Sequence, residues 1–142
     1  MRKNVLVTIS GKRLMGGHTE DIKVITPGTY ARRNGVHVIR YQEMSEEDGV
    51  TAENTIVISG GCMHIRKNGL ANVRMDFLNR SDRTISCYST PYGDFVIGIT
   101  TQDISIEESE DRLSINVEYA LDIGDEHLSD CTICVDVASR GG

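Results

Sequence analysis

From Leu113 to Ile123, the residues Leu113, Ile115, Val117, Tyr119, Leu121 and Ile123 all fall on one side of a two-residue period. Side chains alternate across an extended strand, so this run makes one long strand with an apolar face and a polar face. Similar alternation recurs along the chain, and no stretch of comparable strength carries the three-to-four-residue period of an amphipathic helix. The expected class is all-β: one up-and-down antiparallel barrel of about 8–10 strands, in a single domain over residues 1–142. At 142 residues a domain buries about 70% of the surface its unfolded chain exposes, enough for a core without cross-links.

Turn signals divide the chain into strands. The first runs over Lys3 to Leu14, with Val5, Val7 and Ile9 on one face, and turns at Gly16-Gly17-His18. The return run through Ile22, Val24 and Ile25 meets Pro27-Gly28, where a bulge or a sheet-switching bend is expected, and resumes at Thr29. Asn34-Gly35 is the strongest hairpin signal and leads into Val36 to Gln42. After the acidic stretch 45–49, a strand over Asn54 to Ser59 turns at Gly60-Gly61 into Cys62 to Lys67, and Asn68-Gly69 is read as the next tight turn, into Leu70 to Phe77. Arg83 to Thr90 reverses at Pro91 to Asp94. The apolar parity of Phe95, Ile97 and Ile99 then changes at Ile104 and Ile106, as one inserted residue near Thr100 to Asp103 would cause. An acidic tip at 107–111 precedes the long alternating strand. A turn at Gly124-Asp125-Glu126 precedes the last one, which carries Cys131, Ile133, Val135 and Val137 on its apolar face and ends in a frayed tail from Ser139.

Composition narrows the function. Twenty-one acidic against 15 basic residues give a net charge of -6, and the basic pairs Lys12-Arg13, Arg32-Arg33 and Arg66-Lys67 are dispersed, so nucleic acid is not an expected partner. Aromatic residues make up 5% with no Trp, which leaves few stacking platforms for single strands. The first apolar run is cut short by Thr8, Ser10, Gly11, Lys12 and Arg13, so it reads as a strand and not as an export signal. No run reaches the ~20 apolar residues of a membrane helix. A soluble, cytoplasmic protein with reduced thiols is expected.

Several short patterns occur in one order over nearly the whole chain. They are Gly28-Thr29-Tyr30, Tyr41-x-Glu43, Ile65-Arg66-Lys67-Asn68-Gly69, Arg74-x-Asp76-Phe77, Tyr88 to Gly93 leading to Thr101, and Ile115-x-Val117-x-Tyr119-Ala120-Leu121. In order and spacing they resemble the YwiB-like proteins, small bacterial β-barrels of calycin-like type and unknown function. The resemblance implies a lipocalin-like up-and-down barrel and brings no catalytic residues.

The candidate chemistry is sparse. Cys131 and Cys134 form a C-x-x-C pattern inside a strand, where residues three apart point to opposite faces, so Cys131 is expected in the core and Cys134 outside. Cys62 and His64 share a strand face, with Cys87 on another strand, but lack a full zinc ligand set. The turn Asp125-Glu126-His127 with Asp130 reads as a solvated hairpin, and Ser81-Asp82 with the histidines makes no recognisable triad. No nucleophile elbow, phosphate loop or dinucleotide fingerprint is present, and no catalytic residue, metal or cofactor is expected. The strongest set is a group of polar or amphipathic residues on otherwise apolar strands: Tyr30, Tyr41, Arg74, Tyr88, Thr90, Thr101 and Tyr119, with Asp76 beside Arg74. A barrel of this size can hold one small ligand, and ligand pockets are mostly apolar with a few placed polar groups. If Val73, Met75 and Phe77 fill the core, Arg74 and Asp76 face out as a pair. The expected function is non-enzymatic binding of a small, partly apolar ligand by a monomer or homodimer. The alternative is a module that docks another protein through its outer sheet face or its acidic loops.

Overall fold

The computed structural model describes residues 2–15, 18–44, 51–69, 72–78, 83–123 and 126–139. The expected turns at 16–17 and 124–125, the loop 45–49, Ser81-Asp82 and the tail beyond Ser139 lie outside these, while Ser139 itself, expected to fray, is held in the sheet opposite Val5. Ten strands follow in order: β1 (Arg2–Met15), β2 (His18–Arg33), β3 (Val36–Met44), β4 (Thr51–Ser59), β5 (Cys62–Asn68), β6 (Val73–Phe77), β7 (Arg83–Thr90), β8 (Gly93–Glu108), β9 (Arg112–Ile123) and β10 (Glu126–Ser139). They form one antiparallel sheet in the order β6-β5-β4-β3-β2-β1-β10-β9-β8-β7, an up-and-down meander wrapped into a nearly closed barrel. Among the described residues there is no helix.

Alternation dictates which side chains fill the barrel. Inward residues such as Val7, Ile39, Ile56, Ile115, Val117 and Val135 are fully buried, while their strand neighbours face solvent. The middle of the barrel is packed: Phe77 of β6 meets Tyr119 of β9 edge-on, with ring centroids 4.9 Å apart and planes at 66°.

The two ends of the sheet, β6 and β7, approach each other without a full ladder. Among the described residues a single bridge, between Asn72 and Ser89, joins them, and the two backbone amides each donate to the other's carbonyl at 2.8 and 2.9 Å. Elsewhere along this seam, hydroxyls of β7 reach backbone carbonyls of β6. Thr84 Oγ1 donates to Asp76 O at 2.9 Å, and Ser86 Oγ donates to Arg74 O.

Two turns form as the sequence predicts. Asn34 and Gly35 have φ of 53° and 78°, and Gly60 and Gly61 have 59° and 78°, the left-handed geometry of a two-residue hairpin. The parity change in β8 is a register shift between Thr101 and Asp103 against β9, and a second shift lies between His127 and Ser129 in β10.

Two expectations fail. Pro27-Gly28 neither bulges nor breaks its strand: β2 pairs with β1 in unbroken register from Arg2↔Ala31 to Met15↔His18. The proline is tolerated because pairing of β2 with β3 starts only at Gly28↔Tyr41, so no ladder partner from β3 lies opposite Pro27. Gly28 answers a different need, since a Cβ there would lie 2.6 Å from the Arg40 carbonyl oxygen. Asn68-Gly69 is not a two-residue turn either. Lys67 pairs with Val73, so the connection is wider, and Gly69 N donates to Asn72 Oδ1 at 3.2 Å. A Cβ on Gly69 would meet Ala52 Cβ at 2.8 Å, so that glycine serves close packing and not positive φ.

On the outer face, Arg112 of β9 donates through Nε to Asp136 Oδ1 of β10 at 2.8 Å and through Nη2 to Oδ2. This paired hydrogen bond holds the Asp136 carboxyl below its ordinary value of 3.8. A depressed carboxyl stabilises the fold above its unfolded pKa and loses that contribution as pH falls through the folded one. Urea unfolding on either side of pH 3.8 is therefore expected to show a steeper acid loss in the wild type than in Arg112→Gln.

Candidate functional site

The strands are unequal in length, and this positions the site. Strand β2 spans 16 residues, but β3 spans 9 and pairs only with the stretch of β2 from Gly28 to Arg33. Beyond Gly28↔Tyr41 the two strands part, while β3 continues against β4 as far as Met44↔Thr51. The split leaves a cleft of about 590 Å³ in the wall, lined by Thr26 to Thr29 on one side and by Arg40 to Gln42 and Glu53 to Thr55 on the other.

Two inward residues, directly opposite each other in register, line this cleft: Tyr41 on β3 and Asn54 on β4. Asn54 is 3% exposed, and its side-chain nitrogen is buried without a hydrogen-bond partner. Among the described residues it is the only side-chain nitrogen or oxygen in that condition. Next along the same row is Lys67, whose Nζ donates to Glu43 Oε2 at 3.1 Å. Burial pushes the Tyr41 hydroxyl well above its ordinary value of 10.0, and the nearby Glu43 carboxylate adds to the shift. A raised phenol stabilises the fold below its unfolded pKa and loses that contribution as pH rises through the folded one. Tyr41→Phe is thus expected to flatten the alkaline loss of stability above pH 10.0 and to remove one late tyrosinate step from an ultraviolet titration.

A second cleft, of about 210 Å³, lies beside the β8–β9 turn, lined in part by Val5, Tyr30, Arg32, Glu108, Leu113 and Val137. Its polar groups are paired with one another. Tyr30 Oη and His37 Nδ1 share a hydrogen bond of 2.6 Å, Arg32 Nη1 donates to Glu108 Oε1 at 2.6 Å, and His37 Nε2 lies 3.9 Å from Glu108 Oε2. Burial raises the Tyr30 hydroxyl, with Glu108 adding to the effect. Because these groups satisfy one another, the network braces this part of the barrel, and among the described residues none of its buried side-chain nitrogens or oxygens lacks a partner.

The residues singled out from the sequence do not form one constellation. Tyr41 lines the wall cleft and Tyr30 the cleft beside the β8–β9 turn. Thr101 and Tyr119 are buried, inward and paired across β8 and β9 at the bulge. Arg74 faces out, with Nε 3.4 Å from Asp76 Oδ1, while Tyr88 is exposed on β7. Thr90 pairs with Gly93 at the end of β7, and its side chain lies outside the described residues. Sequence reading missed Asn54 and His37. Both occupy the inward parity of their strands, Asn54 with Ile56 and Ile58, and His37 with Ile39, so a polar residue on an apolar face was the available signal.

The four cysteines are free. Cys131 is buried with its Sγ 3.3 Å from Ser129 Oγ, whereas Cys134 is half-buried on the outer face against Asn116. Among the described residues, no three His, Cys, Asp or Glu side chains gather as a metal site, and no helix is long and apolar enough to cross a membrane.

The family model for a domain of unknown function, DUF1934, matches residues 7–135. Among solved structures, the crystal structure of the ywiB protein from Bacillus subtilis is similar, with a TM-score of 0.86 and 16% sequence identity. The alignment covers 99% of this chain and 94% of that one. At that identity the likeness speaks for the fold alone. No curated protein matches the chain.

Proposed function

The chain belongs to the DUF1934 family, and from that footing we propose that it is a calycin-like, non-enzymatic binder of a small, partly apolar molecule, working in the cytoplasm. The site is the cleft where β2 and β3 part. The observation that carries this reading is the orphaned amide nitrogen of Asn54. Leaving a buried donor unpaired costs about 1–3 kcal/mol, so an acceptor supplied by a ligand would recover that energy on binding.

Tyr41, opposite Asn54, offers a hydroxyl to the same acceptor, and Pro27 with the methyl groups of Thr26, Thr29 and Thr55 offers contact for an apolar body. A carbonyl or carboxylate on a short apolar frame matches that lining. The volume of about 590 Å³ falls inside the range usual for small-molecule sites. Since no β2–β3 ladder bonds exist beyond Gly28, the cleft can admit a ligand without breaking the sheet. Free thiols at all four cysteines support a reducing compartment.

Native mass spectrometry of the protein purified gently from its own host tests the reading. The expected result is a small-molecule adduct on the wild type that is lost in Asn54→Leu. Apo mass for both, together with no movement of the Asn54 side-chain amide signals across a fragment library, would overturn it.

A docking role is favoured by one observation: Ile85 and Val96, on the outer parity of β7 and β8, are 64% and 56% exposed. A stable partner that copurifies and is released by Ile85→Lys would support that reading instead.

A further inference from the structure

We propose that the outer face of β3 to β6 carries a second site, for the phosphoryl group of a small anionic molecule. Register builds it. Arg40 on β3 pairs with Thr55 on β4, Thr55 with Arg66 on β5, and Arg66 with Arg74 on β6, so one cross-strand row presents three guanidinium groups. At about 4.8 Å between neighbouring strands, the row spans about 14 Å. All three arginines are exposed, and they border a shallow cleft of about 320 Å³ with Val57, His64 and Asn68.

The charges in this row are largely unanswered. Arg66 and Arg74 are directly opposite each other, an arrangement in which like charges destabilise a sheet. Among the described residues, neither Arg40 nor Arg66 makes an ion pair, although the chain carries a net charge of -6. Of the three, Arg74 alone has an acidic partner among the described residues, Asp76, and it shares that carboxylate with His64. Asp76 is engaged by His64 Nδ1 at 2.7 Å and lies 3.4 Å from Arg74 Nε, and Glu53 stands in the adjacent row, opposite Gln42 and Asn68.

A tetrahedral oxyanion answers this arrangement. The planar fork of arginine donates two parallel hydrogen bonds to a phosphoryl group, and adjacent forks share its remaining oxygens. The small cleft suits one or two phosphoryl groups. A nucleic acid strand is disfavoured, because no Phe, Tyr or Trp lines the cleft to stack a base, and the one imidazole there, His64, is tied to Asp76.

Arg40 and Thr55 border both this cleft and the Asn54 cleft, whereas Arg66 and Arg74 line only this one, so substitution at Arg66 tests the second site without touching the first. The test is calorimetric and NMR titration with inorganic pyrophosphate at low ionic strength, following the arginine Nε–Hε signals. The expected result is saturable binding with shifts at Arg66 and Arg74, weakened about tenfold or more in Arg66→Gln. Arg66→Lys, which keeps the charge and loses the fork, is expected to recover only part of it. An equal response to chloride at matched ionic strength, or a wild-type affinity in Arg66→Gln with its fold intact by backbone NMR, would overturn the proposal. So would tighter binding of a single-stranded oligonucleotide on the same residues, which would assign the row to nucleic acid.

Discussion

Phe77→Ala is expected to destabilise the barrel by about 3–5 kcal/mol, the range for deleting a fully buried aromatic side chain. That loss lowers the melting temperature of a chain this size by about 10 °C or more. Phe77 has no exposed surface, ends the five-residue strand β6, and packs on Tyr119 across the barrel. Strand β6 has a full ladder on one side only, to β5, and on the other a single bridge and the hydroxyls of Thr84 and Ser86. Few bonds therefore hold the seam while the cavity relaxes, and the seam is expected to open first. Urea unfolding measures the loss, and hydrogen exchange at β6 and β7 amides measures the opening. A cost under about 1.5 kcal/mol, typical of a volume-conserving swap, would mean that the aromatic pair does not close the barrel.

Asn54→Leu is expected to act in the opposite direction. Leucine is close to asparagine in shape and removes a donor that has no partner, so stability should rise by about 1–3 kcal/mol. Any ligand that uses the amide is lost at the same time. Chemical denaturation of the ligand-free variant checks the first half and the host-purified mass spectrum the second. A destabilised variant would show that the amide is partnered in solution, and the binding proposal would lose its foundation. A gain in stability joined to a loss of binding is the pattern of a residue kept for function against the interest of the fold.

Local signals were readable in the sequence wherever they depend on a residue and its near neighbours. The alternation of β9, the left-handed pair Asn34-Gly35 and the one-residue slip after Ile99 each leave a mark in a short window. Pro27-Gly28 and Asn68-Gly69 misled because the same dipeptides serve other ends. The proline sits where β3 is absent, and the two glycines permit close approach to Arg40 and Ala52. Register between strands is what a single sequence withholds. Asn54 and Tyr41 lie thirteen positions apart and meet only through the β3–β4 pairing. Arg40, Arg66 and Arg74 look dispersed along the chain, yet three successive pairings set them in one row. The placement of Tyr30, Thr101, Tyr119 and Arg74 on different strands and faces follows from the same long-range geometry.

The seam has a kinetic counterpart. It lies between β6 and β7, neighbours in the chain, while the ladder that joins the most distant segments, β1 to β10, runs unbroken from Val5↔Ser139 to Leu14↔Asp130. The entropy of closing the ring therefore falls on the one ladder that spans nearly the whole chain, and such a long-range closure precedes the contacts that offset it, which makes it a slow step. The weak seam and the slow step sit on opposite sides of the barrel. A chain arranged in this way can loosen at β6 and β7 without first undoing the encounter that was hardest to make.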